Sequence, residues 1–581
     1  MRQKEIWKRL LSYLKPYRFR LILIIGAAIV STAFMVLAPY VIGLVTTTLL
    51  SFIKDGFFDW SKIIGLLGIL VLLYGISQLF SFFQGLGMAH VSSKVMKQIR
   101  QDIDEKMHKL PLRYYDMHTH GDILSTITND VDTINNAISQ NLTSIVTQCT
   151  TAIGVFFMMM SMSPALSLIP ILMVPLSLLS ASGVMKASNR YYEAQQNSLG
   201  ALNGFIEEMI TGQAIIQTFN YQERAIQQFE MVDQELKNSS RKAEITAGAI
   251  NPITTLVSDL GYVLCAVLGC FAALSGKMTV GNVQAMLEYT WRFADPFATM
   301  AGMVGSFAAA SAAGKRIFSL LDAQEEVPDP SVPCIPSHHQ GSVVFKNVYF
   351  GYDHDVALMK GINLEIQPGQ KVAIVGPTGA GKTTLINLLM RFYDVDQGSI
   401  IVDGVDIRKM TRKELRSRFG MVLQDAWLLE GSIEENIGYA MDTINHERVE
   451  TAAKMASVHS LIQTLPGGYQ MKLNKGAENI SQGERQLLTI ARAIAADPEI
   501  MILDEATSNI DTHTEMLIQQ AMDTVMKGKT SFIIAHRLST IQNADIILYM
   551  EHGNIIEMGN HETLLQKQGK YAALYQSQFA H

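Results

Sequence analysis

The stretch KVAIVGPTGAGKTTLINLLMRF, residues 371–392, changes character twice within a few turns of chain. Lys371 to Val375 is a short apolar run of β-branched type. A glycine-rich segment, GPTGAGKTT (376–384), follows, and TLINLLMRF has the composition of a helix. A strand, then G-x-x-x-x-G-K-T, then a helix is the context of a phosphate-binding loop. Gly376, Pro377, Thr378, Gly379, Ala380, Gly381, Lys382, Thr383 and Thr384 are the expected binding segment. Its glycines let backbone N–H groups wrap phosphates, Lys382 reaches the β- and γ-phosphates, and the Thr383 hydroxyl serves Mg²⁺.

The surroundings of that loop agree. From residue 341 onward, short β-rich runs (SVVFKNVYF, IMILDEA, TSFIIAH) alternate with helix-like segments, the pattern of an α/β domain covering 341–581. IMILDE (500–505) ends a buried strand in two carboxylates. Asp504 suits the Mg²⁺ shell. Glu505, next along and pointing elsewhere, suits polarising a water for attack on the γ-phosphate.

Upstream, QEEVPDPSVPCIPSHHQ (324–340) holds four prolines and reads as an extended linker, assigned to 321–340. Before it the chain is apolar. No Asp, Glu, Lys or Arg occurs in 21–50, 63–93 or 133–185. The last run is long enough for two crossings, with Pro164 near its middle. Two further apolar segments lie at 245–275 and 279–313. About 20 apolar residues cross a bilayer, so six transmembrane helices are expected within 1–320. The fold class is therefore multi-domain: a six-helix membrane domain followed by an α/β P-loop NTPase domain. Residues 3–15 read as an interfacial helix leading into the first span.

Basic residues set the orientation. Seven lie in the first 20 residues, six from Lys94 to Arg113 and six from Lys186 to Lys242. The other side has Lys54, Lys62 and Lys277. The N-terminus, both long connections and the C-terminal half are thus expected in the cytoplasm of a multi-pass plasma-membrane protein. A net charge of −6 opposes nucleic-acid binding. The cysteines (149, 265, 270 and 334) lack metal-ligand spacing and read as small buried hydrophobes.

Other words narrow the phosphate loop's meaning. NISQGERQ (479–486) precedes the carboxylate strand, SNID (508–511) follows it, AHRLST (535–540) ends another strand, Gln424 ends MVLQ, and Tyr352 precedes the loop by 24 residues. Together these resemble the ATP-binding cassette ATPases. Six spans plus one cassette resembles the half-transporters of the exporter fold, the multidrug and lipid exporter group. LPLRYYDMHTHGDILSTITNDVD (110–132) and TGQAIIQTFNYQER (211–224) look like that group's coupling segments.

The resemblance implies ATP and Mg²⁺ as ligands. It implies that Tyr352 stacks on adenine, Gln424 senses Mg²⁺ and His536 contacts the γ-phosphate. Asp511 would communicate across a dimer interface. Ser481 and Gly483 would touch ATP bound by a partner chain. It also implies a dimer, ATP-driven closure of two cassettes, and alternating access in the spans. Export of small amphipathic compounds is the favoured function. A lipid or peptide exporter, an importer on the same fold, and a soluble mechanical ATPase are the alternatives, and the apolar spans oppose the last.

The signature departs from the family's usual word. Gln482 stands where glycine is usual, and Glu484 where glutamine is usual. Ser481 and Glu484 have capping-box spacing. A glutamine also caps, so capping does not account for the added charge near a partner's ATP. A second, different half-transporter chain is therefore expected, a heterodimer rather than a homodimer. In span six, Glu288, Arg292 and Asp295 are spaced to pair on one helical face.

Overall fold

The computed structural model describes residues 3–55, 60–353, 356–504, 511–535 and 538–578. The chain forms two compact units: Met1–Lys109 with His118–Ala323, and Leu110–Met117 with Gln324–His581.

The first unit is helical. Among the described residues, six helices are long and apolar enough to cross a membrane: Gln3–Ser51, Trp60–Met107, His120–Met162, Pro164–Thr211, Gln222–Leu274 and Val280–Leu321. The charge-free run 133–185 does contain two crossings. Span three ends at Met162, and Ser163 turns to β geometry. Its hydroxyl accepts from the Leu166 N–H at 3.4 Å, and Pro164 takes the first helical position, where a missing N–H costs nothing. At 1.5 Å per residue, the 48-residue second span is about 72 Å long. That exceeds the ~30 Å hydrocarbon core, and its charged C-terminal half continues beyond the membrane. Many large apolar side chains, Leu23, Val71 and Leu172 among them, are exposed. In water such a belt is a liability, whereas lipid is its natural surrounding.

Packing within this unit is close where side chains are small. A Cβ on Gly281 would sit 1.7 Å from the Gly43 carbonyl oxygen, so spans one and six touch through backbone. The N-terminal helix Gln3–Leu14 buries Ile6, Leu10 and Leu14. Trp7 meets Phe307 edge-on at 5.3 Å, and Arg9 pairs with Asp322 at 2.7 Å. The expected interfacial helix is thus fastened along span six. Near the cytoplasmic end of span three, two π-turns, Thr126–Asp130 and Ala137–Asn141, interrupt the regular helix. Asp130 is buried there and accepts from Arg316 of span six at 2.5 and 2.8 Å. Of the four cysteines only Cys265 is buried. The expectation of buried cysteines fails for Cys149 and Cys270, whose helix faces are turned outward in this chain, and for Cys334, which lies in the irregular linker.

The second unit is α/β. One sheet runs in the order Asn554–Gly559, Ile546–Glu551, Lys371–Val375, Thr530–Ile534, Ile500–Asp504, Phe419–Val422. All neighbours are parallel except the first pair, a hairpin. Parallel strands covered on both faces read as continuous apolar runs, as Ile500–Leu503 does, fully buried. A four-stranded antiparallel sheet holds Val343–Phe350 between Met359–Ile366 and Gln397–Val402, with Val405–Asp406 outermost. The proline-rich stretch has no regular structure but is not free. Arg412 pairs with Glu326 at 3.2 Å and Asp329 at 2.9 Å, and the Cys334 N–H donates to the Lys409 carbonyl at 2.9 Å.

Candidate functional site

The parallel register brings the expected nucleotide residues to one edge. Ile374 pairs with Ile534, and Ile534 pairs with Asp504. The segments after residues 375, 504 and 534 therefore leave adjacent strands at the same level, the carboxyl end where open α/β sheets bind ligands. Glu505 and His536 follow two of these strands in sequence and lie outside the described residues.

The loop between strand and helix is built for close approach. Gly376 has φ +148° and its absent Cβ would lie 2.2 Å from the Met550 carbonyl oxygen, so no side chain fits. Gly381, φ +95°, is the N-cap of helix Lys382–Leu389, with no side chain capping it. The helix N-terminus therefore keeps its first amides for another acceptor, the arrangement that binds phosphate. Lys382 Nζ donates to the carbonyls of Gly376 at 2.8 Å and Pro377 at 3.1 Å. Burial lowers the Lys382 pKa, and the nearby Asp504 charge partly opposes that. Thr384 is buried; Thr383 is exposed at the mouth of the loop. A hydroxyl and a carboxylate are hard oxygen donors, so Thr383 and Asp504 fit the chemistry of Mg²⁺.

Tyr352 stands beside the loop. Its hydroxyl lies 3.1 Å from Thr384 Oγ1, and its ring meets Phe350 and Tyr393 edge-on, each at 5.1 Å. Its surface is 41% exposed, which leaves a face for a planar base. Gln424 lies two residues past the end of strand Phe419–Val422 and is exposed. Sequence reasoning missed Tyr393. Its hydroxyl donates to Asp116 of helix Leu112–Met117, and burial together with that bond raises its pKa. Arg113 of the same helix approaches Asp353 at 3.9 Å. No motif marks such a long-range pair.

The NISQGERQ segment opens helix Gln482–Ala496. Ser481 is its N-cap and Gly483 is buried. The Glu484 N–H donates to Ser481 Oγ at 3.3 Å, and the Ser481 N–H donates to Glu484 Oε2 at 2.6 Å, a complete capping box. Arg485 donates to the Gly476 carbonyl at 3.1 Å. Asp511 caps helix Thr512–Met526 by accepting from the Thr514 N–H at 2.9 Å, and that bond depresses its pKa.

In the membrane unit, a cavity of about 540 Å³ opens among spans one, three, four, five and six. Met35, Met173 and Trp291 supply apolar walls; Thr254, Arg292 and Asp295 supply polar ones. Arg292 donates to Glu288 at 2.8 and 3.1 Å. The expected Arg292–Asp295 pair does not form, because the i,i+4 carboxylate takes the guanidinium.

Two family models match the chain: the ABC transporter transmembrane region over residues 21–293, and the ABC transporter over 359–508. The chain is 41% identical over 513 residues to a fatty acid ABC transporter ATP-binding/permease protein of Mycobacterium bovis, covering 88% of this chain and 81% of the relative. It is 33% identical over 521 residues to a probable multidrug resistance ABC transporter ATP-binding/permease protein, YheH, of Bacillus subtilis, covering 88% and 76%. Among solved structures, a bacterial Atm1-family ABC exporter with ATP bound aligns with TM-score 0.75 at 27% identity, over 97% of this chain and 99% of that one.

Proposed function

The chain belongs to the ABC transporter family, as an exporter-type half-transporter of the plasma membrane with a cytoplasmic ATPase unit, and on that premise we propose that it exports amphipathic compounds of the multidrug type. ATP binding and hydrolysis drive transport, and half-transporters of this kind act as dimers. The observation that supports an amphipathic cargo is the membrane cavity with both apolar and polar walls. The name of the YheH relative points the same way, while that of the Mycobacterium bovis relative favours a lipid-like cargo. Uptake of candidate compounds into inside-out vesicles, driven by ATP, tests the reading. Uptake of a lipid alone, or ATP-driven loss from the vesicles, would overturn it.

The proposed division is a membrane domain over 1–320, a linker over 321–340 and a cassette over 341–581. In the cassette, residues 376–384 hold the phosphates, and Lys382 exchanges its two loop carbonyls for β- and γ-phosphate oxygens. Tyr352 offers its open face to adenine. Thr383, Asp504 and Gln424 are the residues that would hold Mg²⁺, which neutralises charge on the phosphate oxygens when bound. Glu505 takes a proton from the attacking water, and His536 steadies the γ-phosphate. Ser481 and Gly483 complete the partner's site, with Asp511 at the interface. ATP shared by two cassettes binds their closed arrangement better than the open one and so drives closure.

A partner chain is also supported by Ile210, just before the second coupling segment, and by Ile215 and Phe219 within it. They are 71, 65 and 75% exposed, an apolar cap with no cover in its own unit. The partner is a different half-transporter. Glu484 places a carboxylate on the amide of the signature helix where a partner's phosphate would dock. At roughly 7 Å and an effective dielectric near 20, repulsion is about 2 kcal/mol per unit of phosphate charge. The site completed by this signature therefore turns over slowly, and the partner supplies a regular signature to this chain's own loop. A homodimer with full substrate-stimulated ATPase, unchanged by Glu484→Gln, would falsify this.

A further inference from the structure

The cavity's charge is one-sided, and five of its hydroxyls are turned to accept. Between residues 243 and 314 the basic residues are Lys277 and Arg292, against the acids Glu244, Asp259, Glu288 and Asp295. Arg292, on the cavity wall, is already paired with Glu288 at 2.8 Å. Asp295 also lines the cavity and is exposed, and it makes no hydrogen bond or ion pair among the described residues. Fifteen residues into span six, it sits about 22 Å along the helix from the outer end. An uncompensated carboxylate at membrane depth is costly, and such groups mark pathways or counter-charges.

The hydroxyls around it present the same face. Those of Thr147, Thr151, Thr254, Ser258 and Thr290 line the cavity, and each donates to the carbonyl four residues back, at 2.9–3.2 Å. A hydroxyl whose proton is engaged by its own helix offers only lone pairs outward. Pro296 adds to this: with no N–H, it leaves the Arg292 carbonyl without its helix donor. Beside the Gln148 amide and the Trp291 indole N–H, which can donate, the cavity therefore offers these acceptors and a negative charge next to the apolar surfaces of Met35 and Met173.

We propose that this cavity takes amphiphiles whose head group is a protonated amine, with Asp295 as counter-charge, the engaged hydroxyls accepting the ammonium N–H bonds, and the methionine–tryptophan wall holding the apolar tail. The proposal rests on the exporter reading above and names the substrate class for it. It sets this cavity against anionic amphiphiles, for which Arg292 is preoccupied by Glu288.

Dodecylamine, dodecanol and dodecanoate share one tail and differ in head charge. The test reconstitutes the full-length chain with its partner subunit in liposomes. It measures the concentration of each compound that half-stimulates ATPase, corrected for its partitioning into protein-free liposomes. Dodecylamine is expected to act at the lowest concentration. Asp295→Asn is expected to raise its half-maximal concentration about 10- to 100-fold, the usual worth of a charged hydrogen bond, with dodecanol unchanged within about 2-fold. Asp295→Glu should recover most of the loss. Partitioning cancels when variant is compared with wild type. Preference for dodecanoate or dodecanol, or an Asp295→Asn effect equal for all three heads, overturns the amine assignment and leaves the exporter reading standing. Failure of all three to stimulate a chain with intact basal ATPase overturns both. If Asp295→Asn does not fold, the ranking of heads in wild type and Asp295→Glu decides.

Discussion

Two helix N-termini in the ATPase unit begin from the same physics and are finished differently. Helix Lys382–Leu389 starts at Gly381, a left-handed residue with no side-chain cap. Helix Gln482–Ala496 starts at Ser481, whose own N–H is taken by the Glu484 carboxylate and whose hydroxyl takes the Glu484 N–H. Both ends carry the positive pole of a helix dipole. The first leaves it open for a ligand phosphate; the second already holds an anion of its own. A helix start is thus an anion site only to the extent that the chain declines to cap it.

The largest effect is expected at Glu505, the proposed base. Glu505→Gln should slow ATP hydrolysis by roughly 10²–10⁴-fold with nucleotide binding retained. Single-turnover hydrolysis alongside equilibrium ATP binding measures both, and near-normal turnover removes Glu505 from the role of base. At the closed end the sign reverses. Glu484→Gln should speed turnover at the site completed by this signature by about 10-fold or more, the counterpart of removing about 2 kcal/mol of repulsion. Because glutamine also caps, its melting temperature should stay within about 1–2 °C of wild type. An unchanged turnover would mean that the cap, not the charge, is what this end is for.

A pH series sharpens the contrast further. Burial lowers the Lys382 pKa, so its ammonium loses its proton at lower pH than an ordinary lysine. The charge that attracts phosphate is present below that pKa and lost above it. ATP affinity of the Glu505→Gln variant should therefore weaken on the alkaline side, earlier than for a solvent-exposed lysine, approaching about 10-fold per pH unit. A flat profile up to the ordinary lysine range would count against Lys382 as the main phosphate cation. The smallest effect belongs to Tyr393→Phe, which deletes the bond to Asp116. A net hydrogen bond of about 1 kcal/mol predicts a roughly 5-fold loss of substrate stimulation, with basal ATPase preserved. Equal loss of both would make the bond merely structural.

Some features were legible early because they are local. Charge-free runs predict spans, since a bilayer core rejects ions wherever the helix later packs. The turn at Ser163–Pro164 could be anticipated because proline can only begin a helix there. Gly376 and Gly381 announce the phosphate loop because only glycine tolerates their backbone geometry. The Ser481–Glu484 box was readable from spacing alone, since both partners sit in one turn.

What tertiary structure decided involves residues distant in sequence or competing for one partner. Arg292 had two acids within helical reach, and the structure gives it to Glu288 and leaves Asp295 open. Tyr393 and Asp116, 277 residues apart, meet only because helix Leu112–Met117 belongs to the ATPase unit. Asp130 and Arg316 join spans three and six at a π-turn that no periodicity announces. Glu326 and Asp329 of the linker are engaged by Arg412, a residue of another segment altogether. The sequence by itself determined which segments enter lipid, where the glycine-rich loop leaves a helix end open and which helix ends are capped, because backbone geometry and solvation act within a few residues. Folding alone determined which charges are neutralised and which remain for a ligand, because that depends on distances between side chains that the linear order does not contain.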